Sequence, residues 1–125
     1  MRIGVPREIK NHEYRVGLTP ESAAELVAAG HDILIETGAG AGIGATDAAY
    51  EAAGAKIAPD AGPVFAKSEM IVKVKEPQAA ERAMLSDGQI LFTYLHLAPD
   101  PEQTADLVKS GAICIAYETV TDPTG

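Results

Sequence analysis

Ile71-Val72-Lys73-Val74-Lys75-Glu76-Pro77 is the stretch from which the rest of the chain can be read. Its opening is short, apolar and rich in β-branched residues, the pattern of a strand buried on both faces of a parallel sheet. Charge then breaks it, and Pro77 ends it. Proline has no N–H for a sheet ladder and biases Glu76 toward extended backbone. Lys75 therefore stands where a strand, read as residues 69–75, leaves the sheet. Open α/β sheets bind their ligands at the carboxyl ends of strands. A lysine at that point is either a solvated strand end or a group reaching into a site, and the other strands decide between the two.

Outward from this strand, the chain alternates strand and helix. Residues 2–5 form a first strand stopped by Pro6, followed by a polar loop carrying Arg7, Glu8, Lys10, His12, Glu13 and Arg15. Thr19-Pro20-Glu21 starts a helix with a hydroxyl cap, proline at the first position and an acid next. Further strands are read at residues 31–36, 55–58, 89–95 and 112–116, and further helices near residues 46–53, 64–67 and after Pro77. Asp100-Pro101-Glu102-Gln103 opens the last helix with an aspartate cap and a capping-box glutamine. Ala29-Gly30-His31, Ala53-Gly54-Ala55 and Ser110-Gly111-Ala112 share one grammar, a glycine stop after a helix and before a strand. Helices between strands imply an α/β fold: a mostly parallel sheet with helices on both faces and right-handed crossovers, Rossmann-like or flavodoxin-like. Residues 119–125 read as a polar linker or frayed end.

Composition bounds the function. The chain of 125 residues suits one domain, which buries about two-thirds of its unfolded surface. A net charge of −8 argues against nucleic-acid and anionic-membrane partners. Cys114 is the single cysteine, so no internal disulfide can form and a reducing compartment is expected; its flanks, Ile113 and Ile115, read as core. The amino terminus has no apolar signal segment, and no apolar run reaches membrane-spanning length. A soluble, cytoplasmic protein is the expectation.

Gly38-Ala39-Gly40-Ala41-Gly42-Ile43-Gly44-Ala45 follows a strand, and Gly40-x-Gly42-x-x-Ala45 fits the dinucleotide fingerprint, with Asp60 at the distance expected of the acid. In a true fingerprint, however, the pyrophosphate caps a helix that opens within the glycines. Here the best cap, Thr46, follows them all, so the stretch is read as a surface loop and no cofactor-binding residue is assigned. No His, Cys or acidic spacing suggests a metal site. The stronger signal is positional. In a parallel sheet Arg15, Lys75, His96 and Glu118 follow the first, fourth, fifth and sixth strands and gather at one rim. Arginine can clamp a carboxylate, lysine can polarise a carbonyl, and histidine can move a proton near neutral pH. Tyr94 and His96, two apart in extended chain, share a face. The set suits a small keto or amino acid; solvated surface charge and a structural histidine are the competing readings of each residue taken alone.

Longer motifs carry a resemblance. Residues 1–16 (MRIGVPREIKNHEYRV) with Leu18-Thr19-Pro20, then Glu36-Thr37-Gly38-Ala39-Gly40, Lys73-Val74-Lys75-Glu76-Pro77, Phe92-Thr93-Tyr94-Leu95-His96-Leu97-Ala98 and Ala116-Tyr117-Glu118-Thr119-Val120 closely resemble bacterial alanine dehydrogenase. The α subunit of the proton-pumping transhydrogenase shares the opening and the glycine loop but not the lysine-glutamate-proline and leucine-histidine-leucine patterns. The resemblance implies NAD-dependent oxidative deamination of L-alanine to pyruvate and ammonia. It implies that Arg15 and Lys75 bind substrate, with Tyr94 beside them, that His96 and Lys75 are catalytic, and that the role of Glu118 is open. It further implies homo-oligomers, often hexamers, and a division into a substrate domain over residues 1–118 and the start of a crossing to an NAD-binding domain over residues 119–125. The NAD site and a catalytic aspartate would then lie outside this sequence. The 125 residues alone are expected to be inactive. A transhydrogenase part, or a non-catalytic domain binding a small keto acid or a protein partner, is the alternative.

Overall fold

Capping chemistry sets the helices. In the computed structural model, which describes residues 1–124, Thr19 Oγ1 accepts the Ser22 N–H at 3.2 Å and Pro20 opens α1 (Pro20–Ala28). The hydroxyl satisfies an otherwise orphaned N–H, and proline in the first turn has none to satisfy. Thr46 caps α2 (Asp47–Ala52) and Asp60 caps α3 (Ala61–Lys67) in the same way. Gln78 and Glu81 form a capping box at α4 (Ala79–Arg82), and Asp100 Oδ1 accepts the Gln103 N–H at 3.0 Å to open α5 (Pro101–Ser110). Gly30, Gly54 and Gly111 take φ values of 94°, 98° and 72°, the left-handed residue the three junctions require.

The strands are β1 (Arg2–Val5), β2 (Asp32–Glu36), β3 (Lys56–Ala58), β4 (Met70–Val72), β5 (Ile90–Thr93) and β6 (Ile113–Ala116). All pair parallel, in the order β3-β2-β1-β4-β5-β6. The chain builds outward from β1 to β3, then returns to β4 on the other side of β1. This is the doubly wound order, with its topological switch point between β1 and β4. Alternate residues feed two cores. Ile3, Val5, Ile33 and Ile35 pack with Ala23 of α1 and Tyr50 of α2, while Ile71 and Leu91 pack with Val64 and Phe65 of α3 and Leu107 of α5. The α/β expectation holds, with helices on both faces.

Three features differ from the sequence reading. β4 ends at Val72 and β5 at Thr93, each short of its expected end. The reason is local: side-chain carboxylates, described below, take the N–H groups that the ladder would otherwise use. Cys114 is half-buried, and its flanks are not core, since Ile113 is 54 % and Ile115 36 % exposed. β6 is an edge strand, and the helices on the face that carries these isoleucines, α1 and α2, pack over β2 and β3 at the far side of the sheet. Residues 117–119 form a turn of 3-10 helix, which takes in Thr119, the first residue of the expected linker; Gly125 lies outside the described residues.

Candidate active site

The rim at the carboxyl ends of β1, β4, β5 and β6 carries the expected residues. Arg15, in the loop after β1, is exposed but not free in orientation. Its Nε and Nη2 donate to the two oxygens of Glu13 at 2.9 and 2.8 Å, and its own N–H donates to Glu13 Oε2 at 2.9 Å. Glu13 thus holds one edge of the guanidinium and leaves the Nη1–Nη2 edge, which can meet a carboxylate with two parallel bonds. The glycine loop forms the facing wall: Glu8, Glu13, Arg15, Gly38 and Gly42 line a groove of about 190 Å³.

Lys75 follows β4. Its Nζ lies 4.8 Å from the centroid of the Tyr94 ring, a cation–π contact. Tyr94 in turn stacks on His96, with centroids 5.6 Å apart and planes 15° from parallel. The shared face expected of Tyr94 and His96 is therefore present. Tyr117 adds a third ring, 6.5 Å from Tyr94, and its hydroxyl donates to the Val74 carbonyl. Arg15 pairs with Glu13, and the Lys75 ammonium is near enough to act weakly on the same carboxylate. So Arg15, Lys75, Tyr94 and His96 belong to one cluster across the switch point.

His96 has φ of 46°, in the left-handed region. A non-glycine residue there costs about 1–2 kcal/mol and persists only where its surroundings hold it. Glu118 is the holder. Its carboxylate accepts the Leu95 N–H at 3.2 and 3.3 Å and the His96 N–H at 3.0 Å. Burial opposes ionisation of Glu118, but these backbone donors outweigh it and keep its carboxyl below the usual range. The open question about Glu118 has a structural answer: it fixes the strand exit on which His96 rides.

A second carboxylate does the same for Lys75, and the sequence reading overlooked it. Glu8 accepts the Val74 N–H at 3.1 Å, the Lys75 N–H at 3.0 Å and Lys73 Nζ at 3.2 Å. Lys73 also reaches Glu81 at 2.9 Å, and all three side chains are at most 3 % exposed. At the other end of the same residue, in the next peptide unit, the Thr93 hydroxyl donates to the Lys75 carbonyl at 2.9 Å. A signal for this was present. Lys73 is two residues beyond buried Ile71, so the strand period points it inward.

The glycine loop does not fit a dinucleotide cradle. A Cβ on Gly42 would meet the Tyr14 carbonyl at 2.0 Å, and one on Gly40 the Ala45 carbonyl at 2.6 Å. These glycines admit the chain's own backbone rather than a pyrophosphate, and α2 opens only at Asp47. Among the described residues no group of three His, Cys, Asp or Glu converges as a metal site would require, and no helix is long and apolar enough to cross a membrane.

Glu13 yields a pH prediction. The Arg15 hydrogen bonds lower its pKa from 4.5 to about 2, against the opposing effect of burial. A depressed carboxylate stabilises the fold above its unfolded pKa, and that contribution fades as pH falls from about 4.5 through about 2. A carbon-13 titration of the Glu13 carboxyl should have its midpoint near 2, and Arg15→Ala should move it up toward 4.5. A midpoint near 4.5 in the unaltered protein would contradict the pairing.

An open, parallel, doubly wound sheet that carries arginine, lysine and histidine along one rim defines the class, an α/β domain of the doubly wound kind. The comparisons give the family. The profile of the alanine dehydrogenase/PNT N-terminal domain matches residues 4–125, and the chain belongs to that family. It is 58 % identical over 125 residues to the alanine dehydrogenase of Halomonas elongata, covering 100 % of this chain and 34 % of the relative. It is 51 % identical over 122 residues to that of Bacillus subtilis, covering 98 % of this chain and 32 % of the relative. A solved L-alanine dehydrogenase superposes with a TM-score of 0.96 at 52 % identity, over 99 % of this chain and 34 % of that one. The transhydrogenase of Sinorhizobium meliloti follows at 0.92 and 27 %, over 99 % of this chain and 37 % of that one. The chain thus spans about a third of the length of the relatives it matches.

Proposed function

We propose that this chain is the N-terminal, substrate-binding part of an NAD-dependent alanine dehydrogenase. The reaction is the reversible oxidative deamination of L-alanine to pyruvate and ammonia. The observation that carries the reading is the convergence of Arg15, Lys75 and His96 on one rim, in a chain whose relatives bear that name. Arg15, held by Glu13, offers its outer edge to the substrate carboxylate. Lys75 contacts the oxygen or nitrogen on the reacting carbon, where an ammonium stabilises developing negative charge. His96 is the proton carrier of the set, stacked on Tyr94 and open to solvent. The nicotinamide cofactor finds no cradle in the glycine loop, so its site is assigned to sequence outside these residues, and residues 119–125 to the crossing.

The test uses the natural gene product that carries this sequence. It should reduce NAD⁺ in the presence of L-alanine, whereas the isolated 125-residue chain should show no turnover. Hydride transfer between nicotinamide cofactors with no response to alanine would replace this reading with the transhydrogenase one. Ligand binding without turnover in the natural product would leave only a non-catalytic domain.

A further inference from the structure

We infer that Glu8 is a positioning residue for Lys75, a role that rests on the substrate-binding part assigned to Lys75 above. Glu8 belongs to the loop after β1 and Lys75 to the exit of β4, so the contact crosses the switch point itself. Its carboxylate is 2 % exposed and accepts three donors from one short segment: Lys73 Nζ and the backbone N–H groups of Val74 and Lys75. Thr93 takes the other end of the Lys75 residue through its carbonyl. With the N–H and C=O both engaged, the backbone of Lys75 has one orientation, and its side chain is directed over Tyr94. Glu8 also lines the groove beside Arg15. One buried carboxylate therefore sets the spacing between the carboxylate-binding arginine and the lysine.

Glu81 supplies the control. It shares Lys73 with Glu8, is equally buried and accepts the Gln78 N–H, but it makes no bond to Lys75. A merely structural role for the buried network would make Glu8→Gln and Glu81→Gln alike. A positioning role separates them. Glutamine has one acceptor oxygen where Glu8 uses two, so one N–H of the Val74–Lys75 pair loses its partner.

The experiment takes the natural gene product with its lysines dimethylated with carbon-13 and the Lys75 signal assigned by its loss in Lys75→Arg. The Tyr94 ring current should set that signal apart from those of solvated lysines. Glu8→Gln is expected to move it toward the solvated position and to lower kcat/KM for alanine about 10- to 100-fold. Glu81→Gln should leave the signal in place and kcat/KM within about twofold, since it leaves the geometry of Lys75 intact. If Glu8→Gln does not fold, Thr93→Val removes the hydroxyl on the carbonyl side and should move the same signal. An unmoved Lys75 signal in the folded variant overturns the inference. Absence of alanine turnover in the unaltered protein would instead sink the functional reading, because the ring-current measurement needs no turnover.

Discussion

Lys73→Met is expected to destabilise the natural gene product by about 3–5 kcal/mol, the range for removing one member of a buried ion pair. Lys73 is 1 % exposed and sits between Glu8 at 3.2 Å and Glu81 at 2.9 Å. Methionine matches its length and packs, but it leaves two carboxylates facing each other out of water. The cost is that uncompensated charge, not a cavity. A pH dependence follows. Burial already raises the Glu81 pKa above its usual 4.5 even with Lys73 present, and without the lysine it should rise further. For a carboxyl whose folded pKa is raised, stability falls as pH rises from the unfolded value toward the folded one. The variant should therefore come closest to the parent in mild acid and fall furthest behind at neutral pH. Adding Glu81→Gln should recover part of the loss by removing one of the stranded charges. Urea unfolding at several pH values would measure this; a loss under about 1 kcal/mol at neutral pH would mean that water or rearrangement satisfies the carboxylates.

That triad also marks where reading the sequence stops. The helix starts at Thr19-Pro20 and Asp100-Pro101, and the stops at Gly30, Gly54 and Gly111, were legible because capping is local chemistry involving residues within one turn. The rim placement of Arg15, Lys75, His96 and Glu118 was legible too, because parallel strands put all carboxyl ends on one side. What the sequence could not display were partners about 65 residues apart. Glu8 meets Lys73, Val74 and Lys75 only because β1 and β4 are neighbours, and that adjacency comes from the strand order rather than from any local pattern. The same holds for Glu118 and the exit of β5. Ile113-Cys114-Ile115 erred in the opposite direction. A β-branched run looks buried whether its strand is central or at an edge, and only the order of strands shows that β6 is an edge.

The second large effect concerns the chemistry. In the natural gene product, His96→Ala and Lys75→Ala should each lower kcat/KM for alanine by about 10²–10⁴, the range for losing a positioned proton-transfer or charge-stabilising group. Neither should unfold the domain. His96 is exposed, Lys75 is half-buried, and the hydrogen bonds that hold both segments are made to backbone N–H and C=O groups that alanine retains. The two losses should differ in kind. Without His96 an added small base such as imidazole should restore part of the rate, because the ring it replaces is exposed. Without Lys75 it should not, because the missing group stabilises charge rather than carrying a proton. The double variant should lose less than the product of the single effects, since in the proposed reaction both groups serve one transition state. Retention of more than about a tenth of kcat/KM in His96→Ala would remove histidine from the proton path, since positioned acid–base groups are worth more than that. Glu118 would then be left holding the strand exit for packing alone.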